Sequence, residues 1–184
     1  TADPLIISVG SFSVLKDRVT LIKAFAIVKE EVDVRLVILG EGEERSKIER
    51  LVSDLGLNTS VYFPGFEPNP FKWMQQSAVI VSSSITEGCP NNLLEALSLG
   101  LSVVATDCPG DTATILDFGR WGRLVPVGDA KKMAAAILEA LSDLNAPDGK
   151  SRAAQFSPKK VVDAYMDVLL FGVKTDGSEI GQVK

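Results

Sequence analysis

The residues best suited to chemistry lie in one run, Thr86-Glu87-Gly88-Cys89-Pro90-Asn91-Asn92-Leu93-Leu94-Glu95-Ala96-Leu97-Ser98-Leu99-Gly100. Two carboxylates, Glu87 and Glu95, stand on either side of a Gly/Pro/Asn turn. The apolar Ala78-Val79-Ile80-Val81 runs into that turn as a strand, and Ser82-Ser83-Ser84 marks its end. A helix opening near Asn92 leaves its first backbone N–H groups without intrahelical partners and partly positive, so they attract an anion or hydroxyl oxygens. Helical side chains lean toward the N-terminus, which carries Glu95 back toward the turn and lets both acids converge above the strand ends. The combination suits a sugar nucleotide. Two ligand-free readings stand beside it: Asn92 and Glu95, three residues apart, are close to a capping box, and Glu87 also fits a solvated loop acid.

Other residues could join such a pocket. Gly10-Ser11-Phe12 ends an earlier apolar run and Lys16-Asp17-Arg18 follows it. A glycine there lets a ligand approach the backbone, and Lys16 offers a compact charge to a phosphate oxygen or is simply a solvated surface lysine. Gly40-Glu41-Gly42 lacks the full dinucleotide fingerprint and reads mostly as a turn. In Tyr62-Phe63-Pro64-Gly65-Phe66, Phe66 is the better surface for a flat base and Phe63 the better core residue. Asp107-Cys108-Pro109-Gly110 is a turn that leads into a helix or touches ligand. Arg120 and Arg123 are weaker sources of charge.

Several chemistries are excluded. The 184 residues contain no histidine, which removes Ser-His-Asp, Cys-His and histidine-based metal sites. No Asp-x-Asp pair is present, and Glu41, Glu43 and Glu44 fit the first turn of a helix, where acids are favoured by its dipole, better than a metal site. A formal net charge of -5 argues against nucleic acid or an anionic membrane as the main partner. Cys89 and Cys108 match no zinc or disulfide spacing and read as free thiols in a reducing compartment. No stretch reads as a membrane span or a signal peptide, and a chain beginning at Thr1 reads as a piece of something longer.

The elements that must position these residues follow from periodicity. Short apolar runs at 5–9, 35–39, 61–63, 78–81, 102–105 and 124–125 alternate with helix-period stretches, the pattern of a parallel sheet flanked by helices. The expected fold is α/β, a Rossmann-like doubly wound parallel sheet of about six strands whose loops after Val9, Leu39, Phe63, Val81 and Ala105 rim one cleft. Residues 1–145 form the ligand-binding domain in this reading, 146–171 a linker and C-terminal helix packing on or beside it, and 172–184 a disordered tail.

From Ile7 to Leu141 the sequence resembles the retaining glycosyltransferases of family four, specifically the C-terminal, donor-binding half of their two-domain GT-B fold. The resemblance is carried by the Gly10 loop with Lys16, Val37-Ile38-Leu39-Gly40-Glu41-Gly42, Val61-Tyr62-Phe63-Pro64-Gly65-Phe66, the Glu87 to Gly100 run, Val103-Val104-Ala105-Thr106-Asp107, and Gly122-Arg123-Leu124-Val125-Pro126 leading to Gly128-Asp129. It implies that Glu87 bonds hydroxyls of the donor sugar and Glu95 the ribose. Backbone of Gly88, Cys89, Pro90, Asn91 and Asn92 lines sugar and diphosphate, with Gly10, Ser11 and Phe66 completing the donor site and Lys16 neutralising the phosphates. Glu87 and Lys16 are the catalytic pair.

The implied reaction is metal-independent transfer from a UDP- or GDP-linked sugar with retention, in glycan or surface-polysaccharide biosynthesis, with no cofactor. The acceptor, lipid-linked or glycan, belongs to an absent N-terminal domain, so this chain binds donor but transfers little. The implied place is the cytoplasm, at the inner membrane face through that missing half. One position departs from the family: Ser11 stands where Arg is usual. Either Arg18 or the missing half compensates, or leaving-group stabilisation is weaker. Other readings are a non-catalytic nucleotide-sugar-binding module, a GT-B epimerase, and a phosphoacceptor receiver domain, which lacks its acidic pair at Val9-Gly10-Ser11.

Overall fold

A computed structural model describes residues 3–143 and 147–171. Six strands, β1 (Leu5–Val9), β2 (Arg35–Leu39), β3 (Val61–Gly65), β4 (Val79–Ser82), β5 (Ser102–Thr106) and β6 (Arg123–Val125), form one sheet in the order β3-β2-β1-β4-β5-β6. Every neighbouring pair is parallel, with Ile6 opposite both Leu36 and Val79 across the centre. The order reverses direction between β1 and β4. Their carboxyl ends therefore part to leave a crevice, the place where sheets of this kind take ligands.

Strands buried on both faces need apolar residues at successive positions, and β1, β2 and β4 have them. Ile6, Leu36, Ile38, Val79 and Val81 face α1 (Arg18–Glu31), α2 (Arg45–Asp54) and α6 (Ala130–Ser142) through Leu21, Phe25, Ile48, Met133 and Ile137. Ile7, Val37, Ile80, Val103 and Ala105 face the opposite layer of α3 (Phe71–Met74), α4 (Asn91–Leu99) and α5 (Thr112–Ile115) through Met74, Leu93, Leu97 and Ile115. Asp17 caps α1 by accepting from Thr20 N at 3.2 Å, and Asp129 caps α6 by accepting from Lys132 N at 2.9 Å.

At the C-terminal side, the docking is done by α7 (Lys150–Ala153) and the turn after it. Ala153 and Phe156 pack on the second apolar layer, and Arg152 Nε donates to Ile115 O at 2.9 Å. Helix α8 (Pro158–Phe171) follows and is exposed from Pro158 to Leu170, with Val162, Tyr165 and Leu169 each more than half open. Its apolar side chains find no complementary surface within this sheet. The linker residues 144–146 and the tail 172–184 lie outside the described residues. No helix among those described is long and apolar enough to cross a membrane.

Candidate functional site

The site is built where the loops after β1 and β4 face each other. Gly10 N donates to Leu39 O at 3.0 Å, Phe12 N to Glu41 O at 2.9 Å, and Gly40 N to Gly65 O at 2.9 Å, so three consecutive loops are knitted into one rim. The approach is close enough that a Cβ on Gly40, held at φ +136°, would stand 2.1 Å from Gly10 O. The turn role assigned to Gly40-Glu41-Gly42 is thus also a spacing role: it lets the β1 loop lie flat against its neighbour.

Lys16 ends a 3-10 turn over Val14–Lys16 that is strapped to the β4 loop. Ile85 N donates to Leu15 O at 2.8 Å and Ser83 Oγ to Lys16 O at 2.7 Å. Its ammonium then meets Glu87, with Nζ 2.5 Å from Oε1, and Ser84 Oγ donates to the same oxygen at 2.6 Å. Both charged side chains are largely buried, at 22% and 10% exposure for Lys16 and Glu87. Burial strengthens the attraction, and the two donors on one oxygen fix the carboxylate plane. The other oxygen, Oε2, has no partner among the described residues and is open to a ligand hydroxyl.

The backbone under Glu87 is clamped by the turn after β5. Glu87 N donates to Pro109 O and Asp111 N to Gly88 O, both at 3.0 Å, while Thr106 Oγ1 donates to Ser84 O at 2.5 Å. Asp107-Cys108-Pro109-Gly110 therefore acts as a support for the acid. Ser84→Ala should reduce affinity for a sugar nucleotide about tenfold, the scale of one hydrogen bond to a charged group, with smaller loss for the bare diphosphate in calorimetry.

The capping box between Asn92 and Glu95 does not form. Helix α4 starts one residue earlier than the expected Asn92, at Asn91 after Pro90, and its N-cap makes no side-chain bond. Asn92 Nδ2 reaches across to Val9 O at 2.9 Å and ties α4 to the end of β1. The Glu95 carboxylate has no hydrogen bond or ion pair among the described residues, the residue's only side-chain partner being Ser98, whose Oγ donates to its backbone O at 2.6 Å, and burial raises the carboxyl above the ordinary value. An acid raised this way costs folding stability once pH exceeds the unfolded value, and costs nothing below about pH 4, where both states are protonated. Glu95→Gln should accordingly raise the melting temperature at neutral pH, lose that advantage at acid pH, and weaken nucleotide binding; thermal melts across pH with and without nucleotide check all three.

Other expected site residues are placed less centrally. Ser11 is exposed and its hydroxyl reaches only Ser13 Oγ at 3.3 Å. Phe66 is 75% exposed at the end of β3, two strands from β1, so it is not brought against the acids. Gly88 has open space around it, and Cys89 is an exposed free thiol 3.9 Å from Asn91 Oδ1, while Cys108 is a buried one. Arg18 is 3% exposed and cannot reach a ligand as a direct replacement for the arginine missing at position 11. Arg123 pairs with Asp143 at 2.6 Å and Arg120 lies 5.2 Å from the Trp121 ring, both held by local partners. Glu41 pairs with Arg45 and Glu44 with Lys47, and no metal-binding cluster of three His, Cys, Asp or Glu occurs among the described residues.

The local sequence marks Ser84 only as the end of a strand and Pro109-Gly110 only as a turn, so their bonds to the Glu87 loop, like that of Thr106 to Ser84, are not visible in it. A cavity of about 450 Å³ lies elsewhere: it opens against β2 and β3 beside α3, lined by Leu5, Arg35, Tyr62, Pro64, Trp73 and Gln76. The Lys16–Glu87 pair and the N-terminus of α4, tied to β1 by Asn92, lie instead at the crevice between β1 and β4, where sheets of this kind take ligands.

A doubly wound sheet of order 3-2-1-4-5-6, with a charged pair at its point of reversal, defines a Rossmann-like domain with its working edge between β1 and β4. Residues 3–143 match the family described as "Glycosyl transferases group 1", and the chain belongs to that family. It is 31% identical over 91% of its length to the N-acetylgalactosamine-N,N'-diacetylbacillosaminyl-diphospho-undecaprenol 4-alpha-N-acetylgalactosaminyltransferase of Campylobacter jejuni, covering 47% of that protein. It is 33% identical over 90% of its length to the lipopolysaccharide core biosynthesis glycosyltransferase LpsE of Rhizobium meliloti, covering 49%. The chain thus spans about half the length of these relatives. Among solved structures, the fold matches Anabaena Alr3699/HepE in complex with UDP and glucose with a TM-score of 0.84 at 21% identity, over 91% of this chain and 48% of that one.

Proposed function

We propose that this chain is the donor-binding half of a glycosyltransferase that moves a sugar from a nucleoside diphosphate to an acceptor with retained configuration and without a metal. The observation that carries the reading is the Lys16–Glu87 pair at the crevice, which leaves Glu87 Oε2 free and directed by two fixed donors. Glu87 accepts from a hydroxyl of the donor sugar, and the unpartnered carboxylate of Glu95, in the second turn of α4, accepts from ribose hydroxyls. When the sugar leaves, negative charge grows on the diphosphate oxygens. Lys16 and the free N–H groups opening α4 stabilise that charge without reorganising, which lowers the barrier.

The sugar is carried on UDP or GDP. The acceptor, lipid-linked or glycan, binds in the half of the protein that this chain does not contain, at the cytoplasmic membrane face. A glycan-assembly role is supported by relatives whose names place them in lipopolysaccharide core synthesis and on a diphospho-undecaprenol-linked sugar. Thermal shift of the chain against UDP, GDP and their sugars tests the reading. Stabilisation by one diphosphate and its sugar supports it, and no shift with any of them contradicts it. The exposed Ser11 favours a second reading, a donor-binding module without transfer; full-length protein that binds donor yet neither transfers nor hydrolyses it would select that reading.

A further inference from the structure

The peptide between Gly10 and Ser11 is held from beneath by a buried cation. Arg18 Nη2 donates to Gly10 O at 3.1 Å, and Nη1 donates to Ser8 Oγ, whose own proton goes to Val81 O at 2.5 Å. The guanidinium is 3% exposed, lies 5.8 Å from the Phe12 ring centroid, and leaves Nε without a partner. Burial pushes its pKa down to about 10, which leaves it charged at neutral pH, and nearby Glu87 opposes that fall. A buried arginine this poorly compensated is costly unless its charge is used.

The other end of the same peptide is free. Gly10 N and Phe12 N both donate to backbone carbonyls, but Ser11 N has no partner among the described residues. All described peptides are trans, so the Ser11 N–H points opposite to Gly10 O. Gly10 O is held by the buried Arg18, so the N–H points away from that guanidinium, on the side where Ser11 is exposed. A charged donor on the carbonyl polarises the whole peptide unit and strengthens its N–H.

Resting on the donor-binding reading above, we propose that Arg18 is a positioning residue that orients and polarises the Gly10–Ser11 peptide, so that Ser11 N–H binds a diphosphate oxygen of the donor. The ligand class is a nucleoside diphosphate. Lys16 shares its charge with Glu87 and Ser11 brings none of its own, so the buried guanidinium adds positive potential through the backbone rather than by contact.

Calorimetric titration of the chain with UDP, GDP, UMP and GMP at two salt concentrations tests this, using Arg18→Met and Ser11→Pro, which removes the N–H and leaves Arg18 untouched. Each should weaken binding of the preferred diphosphate roughly tenfold, with a smaller loss for its monophosphate, and the double variant should lose little more than either single one. Arg18→Met should also flatten the salt dependence, which a purely structural role would not do. Diphosphate affinity unchanged in Ser11→Pro, or equal losses for mono- and diphosphate in Arg18→Met, overturns the inference while the donor site stands. A wild-type chain that binds neither UDP nor GDP overturns both.

Discussion

Glu87→Ala should erase the difference in affinity between a nucleoside diphosphate and its sugar conjugate, while the bare diphosphate binds as well as before or better. The carboxylate serves two groups at once: Oε1 accepts from Lys16 and Ser84, and Oε2 is left for a sugar hydroxyl. Removing it deletes the sugar contact, worth about 1.5–3 kcal/mol for a charge-assisted hydrogen bond, or about 10- to 100-fold in sugar-dependent affinity. It also frees the Lys16 ammonium from its counter-charge, which favours phosphate. In the full-length protein, turnover should fall by about 10²–10³-fold, the scale for loss of one preorganised electrostatic group. Paired titrations with the diphosphate and its sugar, followed by transfer assays, measure both effects. Equal losses for both ligands would contradict the role given to Glu87.

Gly110→Ala should be the most damaging single methyl at the site. Gly110 sits at φ +116°, and a Cβ there would stand 1.6 Å from Glu87 O and 2.7 Å from its carbonyl carbon. No rotamer relieves a clash between a Cβ and backbone, so the β5 turn must move off the Glu87 loop and break the Glu87 N–Pro109 O and Asp111 N–Gly88 O bonds. Loss of stability of about 2–4 kcal/mol is expected by urea unfolding, together with loss of sugar discrimination. Gly88→Ala, with nothing within 4 Å of its Cβ, should cost far less stability. Equal destabilisation by the two would refute the clamp.

Most of the fold is legible in the sequence for a simple reason. Runs such as Val79-Ile80-Val81 and Arg35-Leu36-Val37-Ile38-Leu39 satisfy two buried faces at once, and their alternation with helix-period stretches selects a parallel sheet covered on both sides. The two acids are legible because they flank a helix start. What the sequence does not reveal is pairing across the crevice: Lys16 and Glu87 are 71 residues apart, and nothing local says that the lysine's charge is taken by an acid before any ligand arrives. Asn92 misleads in the same way, since its local signature is a cap while its partner, Val9 O, lies 83 positions away. Ser84 and Gly110 are silent because their roles are contacts with a neighbouring loop. For α8 the apolar period marks a helix but not a partner, and the described surface offers it none.

The most direct measurement is an amide chemical-shift map of the chain titrated with whichever of UDP and GDP binds. Ligand at the crevice should move the signals of Ser11, Gly88, Cys89, Asn91 and Asn92 and leave the Trp73 indole N–H unchanged. Shifts concentrated instead at Tyr62, Trp73 and Gln76, around the cavity beside α3, would contradict the placement of the donor between β1 and β4.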